Sequence, residues 1–156
     1  MTPVGRVATF AIMPIIAGTC VAMDGRGVLL RGPSGAGKLD LAIRLMESGA
    51  RLVADDQVFI EIENEHLVAS APEAVRGMIE ARGLGVLQVV SAPPTPLVAV
   101  IDLVPADEID RMPDPASVEI ESVPLPLFRL APFEPSAPAK VRLAVRLATG
   151  GIMRVP

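Results

Sequence analysis

The glycine-rich stretch at residues 32–39 restricts the folds that this chain can adopt more than any other feature of its sequence. It reads Gly-Pro-Ser-Gly-Ala-Gly-Lys-Leu, follows the apolar run Val28-Leu29-Leu30, and precedes a helical pattern. The stretch matches G-x-x-x-x-G-K-[ST] everywhere except the last position, where Leu39 replaces Ser or Thr. A strand before such a loop and a helix after it are the context of a genuine phosphate-binding P-loop. The alternative is a glycine-rich turn with no function.

The spacing of this motif follows from the chemistry of phosphate binding. Gly35 and Gly37 allow a tight backbone turn and a close approach to an anion, because they carry no Cβ. The loop N–H groups and the N-terminus of the following helix then point at one phosphate, and Lys38 reaches the β- and γ-phosphates. The hydroxyl that normally follows ligates Mg²⁺, and Leu39 supplies none. The predicted phosphate-binding residues are Gly32, Pro33, Ser34, Gly35, Ala36, Gly37, Lys38 and Leu39.

Composition narrows the class of protein. The 156 residues carry a net charge of −4, which argues against a general nucleic-acid or membrane-surface binder. A single cysteine, Cys20, excludes an internal disulfide, and the lone His66 is expected to be exposed in a polar turn. The apolar stretch 7–23 resembles a signal peptide, but Pro14 interrupts it and no small-x-small cleavage site follows. We therefore expect a buried strand there and a cytoplasmic protein.

The remaining pattern predicts one α/β domain over residues 1–156, with a loose terminus at 1–5 and much antiparallel pairing. The predicted strands are 16–23, 27–31, 51–54, 58–62, 67–69, 97–104 and 118–123. Asp24-Gly25 is a favoured hairpin turn. Helices are predicted at 40–48 and at 140–149, where a strand remains an alternative, and the proline-rich segment 124–138 is expected to be irregular.

Two adjacent carboxylates form a second chemical feature. The short apolar strand 51–54 ends in Asp55-Asp56, one helix after the P-loop. Phosphoryl transfer needs one carboxylate that can hold Mg²⁺ through water and another that can accept a proton from an attacking hydroxyl. The alternative is a solvated Asp-Asp turn. The segment Glu80-Ala81-Arg82-Gly83-Leu84-Gly85 adds a carboxylate, a guanidinium and two glycines, although a strand-entry turn explains it equally well.

Four stretches together resemble the catalytic domain of bacterial HPr kinase/phosphorylase in its short proteobacterial form. They are residues 24–30, 32–38, 51–56 and 80–85, of which the last is similar to the family signature Glu-Ile-Arg-Gly-Leu-Gly. The resemblance covers about residues 19–111. It implies a P-loop kinase-like (PEP carboxykinase-like) mixed sheet with few helices in a single domain. It also implies an enzyme that phosphorylates a serine of the phosphocarrier HPr with ATP or pyrophosphate and Mg²⁺, and that reverses the reaction by phosphorolysis.

The resemblance also implies roles for individual residues. Lys38 binds phosphate, Asp56 accepts the proton, Asp55 and Glu80 hold the metal, and Arg111 is a further catalytic candidate. HPr or a close relative is the implied partner, in a homo-oligomer that controls carbon metabolism.

Three departures from the family pattern leave a second function open. The family P-loop serine is Leu39, the family histidine near the start of the first strand is Ala17, and the C-terminal Pro-x-x-x-Gly-Arg-Asn region is reduced to residues 136–142. The alternative is a degenerate regulatory module that binds nucleotide or phosphate without catalysis. A small-molecule P-loop kinase fits less well, since no arginine-rich lid segment follows the motif.

Overall fold

The structure is a computed structural model that describes residues 13–156, so the predicted loose terminus at 1–5 lies outside the described residues. The strands are β1 (Ile15–Ala17), β2 (Thr19–Met23), β3 (Arg26–Arg31), β4 (Arg51–Ala54), β5 (Gln57–Glu63), β6 (His66–Ser70), β7 (Met78–Ala81), β8 (Gly85–Gln88), β9 (Thr95–Leu103), β10 (Ala116–Ile120) and β11 (Val123–Leu130). The α-helices are α1 (Lys38–Glu47) and α2 (Ala137–Ala148), and short 3₁₀ turns cover Glu73–Val75 and Ala106–Glu108.

A single mixed sheet joins nine of the strands in the order β1-β5-β6-β9-β3-β2-β4, with β11 added to β9 and β10 to β11. Strand β9 organises this sheet because it pairs with three others. Its start lies antiparallel to β6, whereas its later residues run parallel to both β3 and β11. The other ladders of the sheet are antiparallel. The predicted α/β class with a mixed sheet and few helices is therefore confirmed.

Two apolar cores fill the two faces of the sheet. Leu30 and Ile101 contribute to the core beneath α1 and α2, while Leu29 and Val100 contribute to the core on the opposite face. Val28, Leu29 and Leu30 are fully buried, so β3 has no solvent-facing side over these residues. A continuous apolar run is typical of a strand covered on both faces. Cys20 of β2 is a free thiol buried in the same core as Leu29, and burial raises the pKa of that thiol to about 12.

The single strand predicted at 16–23 is wrong, because Gly18 divides it. Gly18 has φ of 147°, and a Cβ there would lie 2.8 Å from the carbonyl oxygen of Leu30. Before this glycine, β1 pairs with β5; after it, β2 pairs with β3 and β4. The apolar pattern continues through the break, which is why periodicity alone could not locate it.

The predicted strand 118–123 and the irregular segment 124–138 also need correction. Residues 116–120 and 123–130 form a hairpin, β10–β11, around a turn at Glu121 and Ser122, both with positive φ. Pro124 and Pro126 lie inside β11, where the strand pairs with β10 only, and pairing with β9 begins at Leu127. Alternate residues direct their backbone N–H to the same side of a strand. Both prolines are tolerated because β11 still has an open side there.

Two helices cover the face of the sheet that carries the P-loop. Leu41, Ala42 and Leu45 of α1 are buried, in agreement with the predicted helix at 40–48. Helix α2 confirms the helix predicted at 140–149 and excludes the strand alternative, although it begins earlier, at Ala137. Arg142 of α2 donates to the carbonyl and hydroxyl oxygens of Ser48, at 2.9 and 2.8 Å, and so places a cation at the C-terminal end of α1. Across residues 13–156 no helix combines the length and the apolar character needed to cross a membrane.

An ion pair braces the sheet immediately before the P-loop, and we expect its removal to lower stability. Arg31 ends β3 and contacts Asp102 of β9 through two hydrogen bonds, of 2.7 and 3.1 Å. Asp102→Ala would leave a half-buried guanidinium without its partner and should lower the free energy of unfolding by about 1–2 kcal/mol. Denaturant unfolding measures this, with the exposed Asp107→Ala as the control. Equal stability of the two variants would contradict the prediction.

Candidate functional site

The phosphate loop lies between the end of β3 and the start of α1. Gly35 and Gly37 have φ of 86° and 100°, the left-handed conformation that glycine adopts without strain. Pro33, Ser34 and Gly35 are exposed, and no atom lies within 4 Å of the Cβ position of Gly35. Among residues 13–156 the structure assigns no acceptor to the N–H groups of Gly35, Gly37 or Lys38. These donors at a helix N-terminus form an open cradle for an anion.

Lys38 is the first residue of α1, and its side chain folds back over the loop. Its Nζ donates to the carbonyl oxygens of Gly32 and Pro33, at 2.5 and 3.2 Å. The ammonium group is therefore held at the mouth of the loop, where a phosphate bound to the N–H groups would meet it.

Leu39 packs instead of presenting an oxygen. Its half-buried side chain packs against the core beneath α1 and α2, as does the side chain of Ile43. The position that the motif reserves for a metal-binding hydroxyl thus contributes to helix packing in this chain.

The two adjacent aspartates follow β4, and they occupy different environments. Asp55 is half-buried and accepts a hydrogen bond of 2.9 Å from the buried Thr19 hydroxyl, whereas Asp56 is exposed. Burial raises the pKa of Asp55, and the negative charge of Asp56 raises it further; the Thr19 hydroxyl and the charge of Lys38 act in the opposite direction. Thr19 pairs on β2 with Leu30 of β3, just before the P-loop, so its hydrogen bond to Asp55 places the carboxylate pair near the loop.

Asp56 lies next to the position where the family histidine is replaced. Asp56 has φ of 72°, and its carbonyl oxygen accepts a hydrogen bond of 3.2 Å from the N–H of Gly18. Ala17 is exposed and pairs with Gln57. Position 17 is therefore adjacent to Gly18, which binds the Asp56 carbonyl, and opposite Gln57, which follows Asp56. A side chain longer than alanine at position 17 would begin close to Asp56.

Glu80 and Arg111 lie on elements separate from the loop. Glu80 is exposed on β7, which pairs with β8 as a two-stranded sheet. The segment after β8 returns to β4, where the N–H of Leu52 donates to the carbonyl of Val90. Arg111 is exposed in the loop before β10. For neither side chain does the structure assign a hydrogen bond or an ion pair within residues 13–156, and these two positions remain predictions.

The donors for a metal ion can be judged from their chemistry. Across residues 13–156 no three His, Cys, Asp or Glu side chains converge as a preformed cation site. Mg²⁺ is commonly held by one or two carboxylates together with substrate phosphates and water, and it needs no such cluster. Asp55 keeps one carboxylate oxygen free of the Thr19 hydrogen bond. The residues therefore fit a Mg²⁺ ion that arrives with a phosphate ligand.

A cleft of about 860 Å³ opens beside the P-loop, and the sequence pattern did not predict it. Its walls come from the segments that follow the three parallel strands: residues 33–36 after β3, 103–106 at the end of β9, and 131–135 after β11. Ligands of open α/β sheets bind at the carboxyl ends of the parallel strands. The strand predicted at 97–104 indicated one of these walls. The wall after β11 was not predicted, because the prolines of that strand suggested an irregular segment.

Arg44 of α1 fastens the third wall to the P-loop helix. Its guanidinium donates to the carbonyl oxygens of Pro132 and Glu134, the latter at 3.2 Å, and it also pairs with Asp40. Between these anchored residues, the Phe133 ring lies so close to Gly37 that a Cβ on the glycine would be 2.9 Å from Cζ. Gly37 is thus required both for its conformation and for the space it leaves.

The Thr19 hydroxyl allows a test of how Asp55 is tuned. Thr19→Val removes the hydrogen bond that lowers the pKa of Asp55, so we expect this pKa to rise further. A carboxyl with a raised pKa binds its proton more tightly in the folded chain, so stability falls as pH rises from the unfolded to the folded pKa. In Thr19→Val that window should extend to higher pH. An NMR titration of the Asp55 carboxyl measures the shift, and Thr19→Ser, which keeps the donor, is the control. An unchanged pKa in Thr19→Val would show that the hydrogen bond has no electrostatic effect.

Comparisons with known proteins identify the family. The model of the HPr Serine kinase C-terminal domain matches residues 8–93, more than half of the chain. An HPr kinase/phosphorylase of Caldicellulosiruptor bescii is 44% identical over 92 residues, covering 57% of this chain and 30% of that protein. One from Caldanaerobacter subterraneus subsp. tengcongensis is 51% identical over 75 residues, covering 47% and 25%. The chain thus spans a quarter to a third of the length of these curated relatives.

A solved structure extends the similarity in fold beyond the matched sequence. The Hpr(Ser) kinase/phosphatase from Coxiella burnetii superposes with a TM-score of 0.78 at 22% identity, covering 88% of this chain and 97% of that one. The architecture is therefore shared beyond residue 93, where the family model ends. The matched region contains the P-loop, the Asp55-Asp56 pair and the β7–β8 hairpin. This chain belongs to the HPr serine kinase C-terminal domain family.

Proposed function

We propose that this chain is an ATP- and Mg²⁺-dependent protein serine kinase that acts on the phosphocarrier HPr or a close relative. The proximity of the P-loop and the aspartate pair carries the proposal, because Thr19 donates to Asp55 and pairs with Leu30, just before the loop. A phosphate donor and a proton acceptor can thus meet at one edge of the sheet. The names of the curated relatives supply the substrate.

Each residue has a proposed task in this reaction. The N–H groups of Gly35, Gly37 and Lys38, together with the Lys38 ammonium, bind the donor phosphates, and Asp56 accepts the proton of the attacking serine hydroxyl. Asp55, together with Glu80, would hold Mg²⁺, which neutralises charge on the phosphates. Arg111 would approach the transferring group from the loop before β10. Pyrophosphate can serve as donor at the same loop, and phosphorolysis of phosphorylated HPr is the corresponding reverse reaction.

A second function is supported by the packing of Leu39. Since this side chain is part of the core contact of α1, the loop can bind phosphate while it lacks a hydroxyl for the metal. The chain would then be a regulatory module that binds nucleotide or phosphate without transferring it. In either case we propose a cytoplasmic homo-oligomer that binds neither nucleic acid nor membrane, in keeping with the net charge of −4.

One experiment separates the two functions. The chain is incubated with radiolabelled ATP, Mg²⁺ and HPr, and phosphoserine on HPr is measured beside calorimetric binding of ATP and pyrophosphate. The kinase proposal expects both binding and label transfer, with both lost in Lys38→Ala. Binding without transfer would support the regulatory module, and the absence of binding would refute both.

A further inference from the structure

We propose that Phe133 is the stacking platform for the base of a nucleotide whose phosphates occupy the P-loop. This inference rests on the proposed function and deepens it, because it makes a nucleoside triphosphate, rather than inorganic pyrophosphate, the ligand that the site is shaped to hold.

The cleft beside the P-loop has an apolar wall that a phosphate chain does not need. The wall consists of Leu103, Val104, Pro105, Ala131, Pro132 and Phe133. A volume of about 860 Å³ is in the range of sites that enclose a small organic molecule. Because residues 33–36 line the same cleft, a ligand anchored by its phosphates at the loop N–H groups would extend into it.

Phe133 combines exposure with a fixed backbone. Its side chain is 67% exposed, yet Arg44 holds the carbonyl oxygens of the residues on both sides of it, Pro132 and Glu134. The ring also lies against the backbone of Gly37, within the phosphate loop itself. An aromatic ring on an anchored backbone, with a solvent-accessible face, is an arrangement on which nucleobases can stack.

The charges in the cleft give the ligand one orientation. The acidic residues of its lining are Glu108 and Glu134, of which Glu134 pairs with Lys140 at 3.2 Å. These carboxylates repel phosphate, whereas the N–H groups and Lys38 attract phosphate at the loop. A neutral base bearing N–H donors suits the apolar wall and its carboxylates, so the phosphates of a nucleotide match the loop and its base matches the wall.

The test uses the absence of tryptophan from this sequence. In Phe133→Trp the platform becomes the only tryptophan fluorophore, and a stacked adenine quenches it. The full chain is titrated with ATP and, separately, with pyrophosphate, each with Mg²⁺, while calorimetry follows binding to the parent chain, Phe133→Ala and Phe133→Tyr. Met153→Ala, an exposed apolar truncation outside the lining of the cleft, is the matched control.

We expect ATP, but not pyrophosphate, to quench Phe133→Trp. Phe133→Ala should weaken ATP binding about tenfold, in line with the stacking of one base, and should leave pyrophosphate affinity unchanged. Phe133→Tyr and Met153→Ala should bind ATP like the parent chain. Undiminished ATP affinity in Phe133→Ala, or an equal loss for both ligands, would overturn the stacking role while phosphate binding at the P-loop stands. If the parent chain bound neither ligand, the proposed function would fall, and the stacking role with it.

Discussion

Asp56→Asn is expected to abolish phosphoryl transfer while ATP affinity stays within a few-fold of the parent chain. A serine hydroxyl is a poor nucleophile at neutral pH, so a carboxylate that accepts its proton contributes about 10²–10⁴-fold to the rate. Asparagine has nearly the same shape and cannot accept that proton. The removal of one negative charge near the phosphates should, if anything, tighten nucleotide binding.

The backbone conformation at residue 56 allows asparagine to replace Asp56 without a change in local structure. Asp56 is exposed, has φ of 72°, and contacts Gly18 through its main-chain carbonyl only, so asparagine can occupy the same left-handed conformation. Asp24→Asn is the matched control, because Asp24 is also exposed with φ of 52°, in the β2–β3 turn.

HPr phosphorylation and ATP affinity are measured for Asp55→Asn, Asp56→Asn and Asp24→Asn, also in the Leu39→Ser background, where transfer should be fastest. Full activity of the Asp56 variant would refute its role. Loss in the Asp55 variant alone would assign the proton to that neighbour.

Leu39→Ser is expected to raise Mg²⁺-dependent transfer about tenfold or more, because positioning and the metal provide most of the catalysis in phosphoryl transfer. A serine hydroxyl at the first turn of α1 is the ligand that the motif normally provides. The same change removes the half-buried contact of Leu39 with the core under the helices. We therefore expect a loss of about 1–2 kcal/mol in the free energy of unfolding.

Leu39→Ala separates the two effects, since it truncates the same side chain without adding an oxygen. Turnover at several Mg²⁺ concentrations and denaturant unfolding are compared for the two variants. Both should lose similar stability, and only the serine variant should gain activity and metal affinity. Equal turnover in the two variants would show that the missing hydroxyl does not limit this chain.

The parts of the fold that could be predicted are those specified by neighbouring residues. The β2–β3 hairpin follows from Asp24-Gly25, and the helix after the loop follows from the apolar spacing of Leu41, Ala42 and Leu45. The P-loop follows from a motif whose residues are contiguous. Each of these signals lies within about a dozen residues, which is the range over which periodicity and turn chemistry act.

The features that could not be predicted depend on residues far apart in the chain. The hydrogen bond between Thr19 and Asp55 joins positions 36 residues apart, and neither residue type indicates the other. The break at Gly18 is required by the carbonyl of Leu30 on β3. Strand β11 is concealed by two prolines that only its position in the sheet makes acceptable. The cleft has walls from three separate segments, so it could not be inferred from any one of them.

The parallel pairing of β3 with β9 has a consequence for the order of folding. Gly27 of β3 pairs with Leu97 of β9. The strand that leads into the phosphate loop therefore cannot form this pairing until β9 has been synthesised. Contacts of such long sequence separation form slowly, because loop closure must precede them. On the ribosome, the segment that the family model matches emerges before β9, β11 and α2. The phosphate loop should therefore become competent to bind only after these later elements have been synthesised, and a nascent chain that ends at residue 93 should not bind ATP.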